Sequence, residues 1–318
     1  MSPRPRPSTP HAFTIDQARL HGLTDHCLYR TGLHTPFAGI RVAKFSRVSQ
    51  AVLAQQLALR DPTLVISHQT AAQAWGIWLP TRMAQARLHL SRVRGAGGIP
   101  RFKGAEGHLI SAGPEDLRSE QGVRLTSPAW TWTDLASQGL TLNELVAAGD
   151  ALLQRDDGPP RLPELLGDNP LSTREEIREV LERRRGAPGI RMLRTAVELL
   201  RERVDSEPES RVRTGLVDAG WPEPEVNPVL VFEDGWTVTA DLVYRPWRIV
   251  LQYEGRHHFS EENQYRRDMR RDRELARRGW ATVRLDGDVF DSPSKWTAFL
   301  DQLAAEVERQ TRLMSPTR

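Results

Sequence analysis

The stretch Trp247 to Glu254 begins apolar at Ile249-Val250-Leu251 and ends polar at Gln252-Tyr253-Glu254. Strand side chains alternate between faces, so Gln252 and Glu254 share one face and Leu251 and Tyr253 the other. The preceding stretch, Trp236 to Tyr244, alternates in the same way and sets Thr237, Thr239 and Asp241 on a common face. A turn at Arg245-Pro246 makes the two an antiparallel pair, which brings Asp241 across from Glu254 to within a residue or two. Around this pair, Glu209 to Ala219 reads as a helix stopped by Gly220. Val229 to Phe232 reads as a strand closed by a Glu233-Asp234-Gly235 hairpin turn. Glu261 to Arg278 is a long helix ended by Gly279, and Ala281 to Leu285 is a strand. Ser294 to Gln310 is a final helix capped by Ser292 or Ser294. The predicted order is α-β-β-β-α-β-α.

The N-terminal half is less regular. Thr14 precedes a helical apolar pattern as its cap. Val52 to Leu59 and Ile66 to Trp75 read as helices, and Arg87 to Val93 alternates as a strand. RGAGGIP at 94–100 is a glycine-rich turn and not a phosphate loop, because no Gly-Lys-Ser follows. Thr141 to Leu153 and Thr173 to Arg185 are amphipathic helices, and Met192 to Val204 continues helical. DDGPPRLPELLGDNP between the amphipathic pair is loop-like. These patterns predict an α/β (α+β) chain in three parts: a helical region over 1–93, winged-helix-like by a resemblance given below, a mixed α/β middle with a helical linker over 94–205, and a mixed-sheet domain over 206–318.

Composition narrows the chemistry. With one cysteine, Cys27, among 318 residues, neither an internal disulfide nor a cysteine-based zinc site is expected. No run approaches a membrane span. The basic, proline-rich MSPRPRPSTP has no apolar stretch behind it and reads as a tail rather than a signal peptide. Cytoplasmic residence is the expectation. The histidines His11, His21, His26, His34, His68, His89 and His108 show no metal-binding spacing. The net charge is only +3, but eleven Arg against six Asp and Glu fall between Arg245 and Arg284. Arg suits bidentate phosphate contact, although a genome rich in Arg codons explains part of the excess. Arg266, Arg270, Arg273 and Arg277 follow i, i+4, i+7, i+11 on one helix stripe. That stripe is either a phosphate-tracking face or a solvated one paired with Asp268, Asp272 and Glu274. Trp221, Trp236, Trp247, Trp280 and Trp296 read as core or rim packing. Asp241, Glu254 and the Gln252 amide oxygen form a hard-oxygen set suited to Mg²⁺ or Mn²⁺. The other reading is that the two acids pair with Arg on the sheet surface.

Three segments together resemble the PD-(D/E)XK nuclease superfamily, in its Vsr-related branch. They are Asp241, the run Gln252-Tyr253-Glu254-Gly255-Arg256-His257-His258, and YRRDMRRDRELARRGWATVRL from Tyr265 to Leu285. The resemblance covers Ser206 to Leu303 and implies a restriction-endonuclease-like core. It implies that Asp241 is a metal ligand, and that Glu254 is a second ligand or orients water. His258 falls on the family histidine as a general acid or base. Glu209 matches an acidic position that faces the site. Arg271 and Asp272 match a helix pair, Arg to hold a phosphate and Asp to orient it. Arg256 and His257 join the DNA-facing set. The chain departs from the family in two ways. Gln252 stands where a carboxylate is usual, which lowers the expected metal affinity, and no Lys lies nearby.

FTIDQARLHGLT (13–24), Val65 to Gly76, LTSPAWTWTDLA (125–136) and Gly149-Asp150-Ala151-Leu152 resemble AbiEi-type antitoxin proteins. Those begin with a small winged helix, and here GLHTPFAGIRVA (32–43) replaces the basic wing. The resemblances together imply a divalent-metal-dependent DNA endonuclease, acting in defence, repair or a toxin–antitoxin pair. The alternative is a DNA-binding regulator or antitoxin whose nuclease fold lacks chemistry. RNA is a third substrate class, and cutting both strands calls for a homodimer or a second visit.

Overall fold

A computed structural model describes residues 12–29, 32–46, 48–83, 87–157, 166–254 and 262–315, without the side chains of 262–267. Its contacts divide the chain into two compact units. One comprises Met1–Asp156 with Pro160–Leu200, the other Asp157–Pro159 with Arg201–Arg318.

The N-terminal unit starts with β1 (Ala12–Thr14), α1 (Ile15–Leu20), α2 (Asp25–Leu28), β2 (Leu33–His34) and β3 (Ile40–Ala43). Thr14 caps α1 through a capping box with Gln17. The three strands form an antiparallel sheet in the order β1-β3-β2. Then follow α3 (Gln50–Arg60), β4 (Val65–Ile66), α4 (His68–Trp75), β5 (Leu88–Val93), β6 (Ala105–Ile110), β7 (Leu117–Glu120) and β8 (Val123–Thr126). Helices α5 (Pro128–Leu135), α6 (Leu142–Asp150), α7 (Arg174–Arg183) and α8 (Ile190–Leu199) complete the unit.

A mixed sheet runs β6-β5-β4-β8-β7. The expected boundary between 93 and 94 falls inside it, because β5 pairs in parallel with β6. Residues on both sides of that boundary also belong to one apolar cluster, from Ile40 and Leu57 to Leu145 and Leu193. Residues 1–93 thus carry strands of two sheets besides the expected helices. Apart from β5, which its alternation announces, strands of two to four residues leave too short a pattern to read. Trp75 and Trp132 are buried here, and each indole donates to a backbone carbonyl, Thr126 at 2.9 Å and Leu145 at 2.8 Å.

The C-terminal unit comprises α9 (Glu207–Asp218), β9 (Glu225–Val226), β10 (Val229–Val231), β11 (Thr237–Thr239), β12 (Leu242–Tyr244) and β13 (Ile249–Glu254), then α10 (Glu262–Arg277), β14 (Ala281–Asp286) and α11 (Pro293–Met314). Ser206 caps α9 and Ser292 caps α11. The main sheet runs β14-β13-β12-β9, with β13 parallel to β14 and the other pairs antiparallel. Strand alternation sorts its two faces. Leu242, Tyr244, Ile249, Leu251, Val283 and Leu285 pack with Val212 and Leu216 of α9 and with Phe299 and Leu303 of α11. Val243 and Val250 pack on the opposite face with Leu275 of α10 and Leu230 of β10.

The expected single strand Trp236 to Tyr244 is broken. Its first half pairs with β10 in a separate hairpin, its second half joins the main sheet, and Asp241 occupies the bend between them. The Asp241 carboxylate takes the Tyr253 amide of β13, a bond across the strand pair that holds the bend in place of an uninterrupted strand. No described helix is long and apolar enough to cross a membrane.

Candidate functional site

The alternation of β13 carries Gln252 and Glu254 to the α10 side of the sheet, as that of β14 carries Thr282 and Arg284. The parallel register sets Gln252 beside Arg284 and Glu254 beside Asp286. Helix α10 buries Leu275, so Arg271 and Asp272, one turn back, turn toward the same surface. Arg271 Nη2 donates to Gln252 Oε1, and Arg284 Nη1 donates to Glu254 Oε1. Arg284 Nε also donates to Asp272 Oδ2 at 3.1 Å.

Of the expected ligand set Asp241, Gln252 and Glu254, two members are held by arginine in the structure. Gln252 and Glu254 are each taken by a guanidinium. The physical reason is the parallel strand β14, which lays Arg284 against the carboxylate; only the β12–β13 pairing was read from the sequence. Arg pairing, the other reading of these acids, holds for Glu254. Arg271, expected at a phosphate, is turned to Gln252.

Asp241 has different company. Its Oδ2 accepts the Tyr253 amide at 2.9 Å, and its carbonyl accepts the Asn227 amide at 2.8 Å. Asn227, in a left-handed conformation at φ 44°, sends its side-chain Nδ2 to Glu209 Oε2 and to the Arg203 carbonyl, both at 2.7 Å. Glu209 stands in the first turn of α9, where its Oε1 accepts the capping Ser206 hydroxyl at 2.7 Å and its Oε2 the Asp205 amide at 3.1 Å. Three donors thus fix a carboxylate that is only 7% exposed.

Burial pushes the Glu209 carboxyl up to about 7, and the charge of Asp241 adds to the rise against the donors that oppose it. Burial also raises Asp241, opposed by the Tyr253 amide and by Arg271. Asp205 rises through burial and then through Asp241. The charge of Asp241 thus adds to the rise of both Glu209 and Asp205, a condition that a cation relieves.

On the outer side of α10, Arg270, Arg273 and Arg277 are exposed. Arg277 pairs with Glu274 at 3.2 Å, whereas Arg270 and Arg273 have no ion-pair partner among the described residues. Arg278 is committed elsewhere, to Glu274 and Asp234, and lies over the Trp236 ring at 4.4 Å. Arg256, His257, His258 and the side chain of Arg266 lie outside the described residues.

No family model matches the chain. It is 26% identical over 183 residues to "Uncharacterized protein MT2308" and "Uncharacterized protein Rv2248", from two strains of Mycobacterium tuberculosis. The match takes in 57% of this chain and spans 62%, about three fifths, of the length of these curated relatives.

Two features escape a reading of the sequence. Asn227 joins Glu209 to Asp241, and only its left-handed backbone places it to do so. In the N-terminal unit, His68, His89 and His108 converge from three separate elements. Their spacing along the chain follows no ligand motif, and the order of the sheet strands brings them together.

Proposed function

We propose that the C-terminal unit binds DNA along α10 and hydrolyses a phosphodiester bond with Mg²⁺ or Mn²⁺ held at Asp241 and Glu209. The observation that carries this reading is the coupling of those two carboxylates, half-buried and buried, across Asn227 and beside Arg271. Their oxygens suit a hard divalent ion, so the donor chemistry fits, although the pair is smaller than the set expected from Gln252 and Glu254. A restriction-endonuclease-like core is the finer fold reading that goes with it, supported by the mixed sheet and by an acid at the start of its second strand.

When bound, such an ion supplies Lewis-acid stabilisation of the phosphoryl oxygens and favours water as nucleophile. The chain's own residues do the rest. Arg270, Arg273 and Arg277 hold the backbone at successive phosphates. Arg271 shifts from the Gln252 oxygen to the scissile phosphate, Glu209 stays with Asp241 on the ion, and the proton of the attacking water passes to solvent. His258 and Arg256 are the candidates for leaving-group protonation and phosphate contact. Cutting both strands calls for a second copy of the chain.

A second reading rests on the capture of Gln252 and Glu254 by Arg271 and Arg284: a DNA-binding regulator with no hydrolysis. The deciding experiment incubates supercoiled plasmid with the full chain in Mg²⁺ or Mn²⁺ beside Asp241→Asn, and measures duplex affinity for both in parallel. Nicking by the wild type, lost in the variant while affinity stays, supports hydrolysis. Equal nicking by both rejects it, and binding without nicking under either ion leaves the regulator.

A further inference from the structure

Strands β5 and β6 run in parallel, with Ser91 beside His108 and His89 beside Glu106. Residues two apart on a strand share a face. His89, Ser91, Glu106 and His108 therefore line one side of the sheet. The next strand, β4, ends at Ile66, and His68 opens α4 directly after it with φ 51°, a left-handed conformation that a histidine adopts only where its surroundings hold it there. Its ring stacks on His108, with centroids 3.9 Å apart, and His89 Nδ1 lies 2.9 Å from His108 Nε2. One ring nitrogen from each of the three lies within 4.8 Å of the other two. Two imidazole nitrogens on a tetrahedral Zn²⁺, at roughly 2.0–2.1 Å each, stand about 3.3 Å apart. The cluster is within side-chain rotation of that arrangement.

A second observation points the same way. Asp134 on α5 is buried, and its Oδ1 accepts Arg184 Nη1 at 2.6 Å. Its Oδ2 makes no hydrogen bond by the geometry of the described residues and lies 3.6 Å from His68 Nδ1. A carboxylate behind the outer nitrogen of a ligating histidine fixes its tautomer and strengthens its donor nitrogen. Ser67 Oγ, 3.0 Å from the same nitrogen, adds to that role. A cavity of about 670 Å³ reaches His68 and His108 and is also lined by Glu106, Arg94 and Gln138. It gives an ion a way in and leaves a coordination position open.

We propose that His68, His89 and His108 bind one transition-metal ion of the Zn²⁺ class through imidazole nitrogen, with the remaining coordination position facing this cavity. The all-nitrogen donor set selects Zn²⁺, Co²⁺, Ni²⁺ or Cu²⁺ over Mg²⁺. The site is independent of the hydrolytic reading of the C-terminal unit.

The test uses the metal-stripped full chain, titrated with Zn²⁺ and separately with Co²⁺, whose visible absorption reports coordination. One equivalent is expected to bind in the presence of excess Mg²⁺, with a blue Co²⁺ spectrum. His108→Gln, at the more exposed of the ring positions, is expected to lose stoichiometric binding while keeping the wild-type circular dichroism. Asp134→Asn is expected to weaken binding about 10–100-fold. A His257→Ala, His258→Ala double variant is expected to bind as the wild type does. Failure of the wild type to take up an equivalent overturns the proposal. So does unchanged uptake by folded His108→Gln, or loss of uptake in the double variant.

Discussion

The Asn227 side-chain amide lies 2.7 Å from Glu209 Oε2 while its backbone amide donates to the Asp241 carbonyl at 2.8 Å. One residue in a left-handed turn thus ties the first turn of α9 to the bend that opens β12. This tie brings together two acids that lie far apart in the chain. It also fixes them where burial outweighs the local donors, so the site holds more negative charge than it can comfortably ionise.

The first prediction concerns pH. Glu209 sits at about 7 in the folded chain, above the value of about 4.3 for an unfolded glutamate. A raised carboxyl adds stability that is complete below the unfolded value and is lost as pH rises through the folded one. Urea unfolding of the wild type is therefore expected to lose roughly 2–3 kcal/mol through this group between pH 5 and pH 8. Glu209→Gln removes that share of the slope. Parallel stability–pH curves for the two proteins would show that Glu209 does not titrate there.

A second prediction addresses the arginine that spans two acids. Arg284 bridges Glu254 and Asp272 on a partly exposed sheet face. Arg284→Met is expected to cost about 1–2 kcal/mol in denaturant unfolding, reduced by the exposure of the pair. Arg284→Lys recovers only part of it, because an ammonium lacks the fork that serves two carboxylates. Full recovery by Lys would argue against a bridging role.

The outer face of α10 gives a third. Replacing Arg270, Arg273 and Arg277 together with Ala is expected to weaken duplex binding and to lower the log–log salt slope by about 2–3, measured by anisotropy over a KCl series. An unchanged slope would leave the stripe as a solvated face.

Packing gives a fourth. A Cβ at Gly215 in α9 would meet the Trp296 ring of α11 at 2.8 Å. Gly215→Ala gains helix propensity, yet a net loss of about 1–3 kcal/mol is expected, because the indole is held among Phe290 and Phe299. Thermal unfolding at or above the wild-type midpoint would contradict this.

The C-terminal unit was the more legible half. Ala281 to Asp286 alternates clearly, as does Leu251 to Glu254, Ser292 announces α11, and Gly279 ends α10. What alternation does not carry is which strand lies beside which. Glu254 was read across from Asp241, while the parallel neighbour that brings Arg284 stays hidden in a crossover. The bend at Ala240-Asp241 is likewise decided by bonds to Asn227 and Tyr253, residues remote in sequence. In the N-terminal unit the strands are short, and the gathering of His68, His89 and His108 depends on sheet order. His89, polar between Leu88 and Leu90 on a buried strand, was the one local hint.

Asp241 and Glu209, rather than Gln252 and Glu254, are the proposed source of oxygens for a divalent ion. Mn²⁺ binding followed by electron paramagnetic resonance tests it most directly, with His108→Gln as the common background. One bound ion is predicted for that protein and for added Glu254→Gln, and its loss on adding Asp241→Asn or Glu209→Gln. Binding that survives Glu209→Gln and disappears with Glu254→Gln would contradict the account.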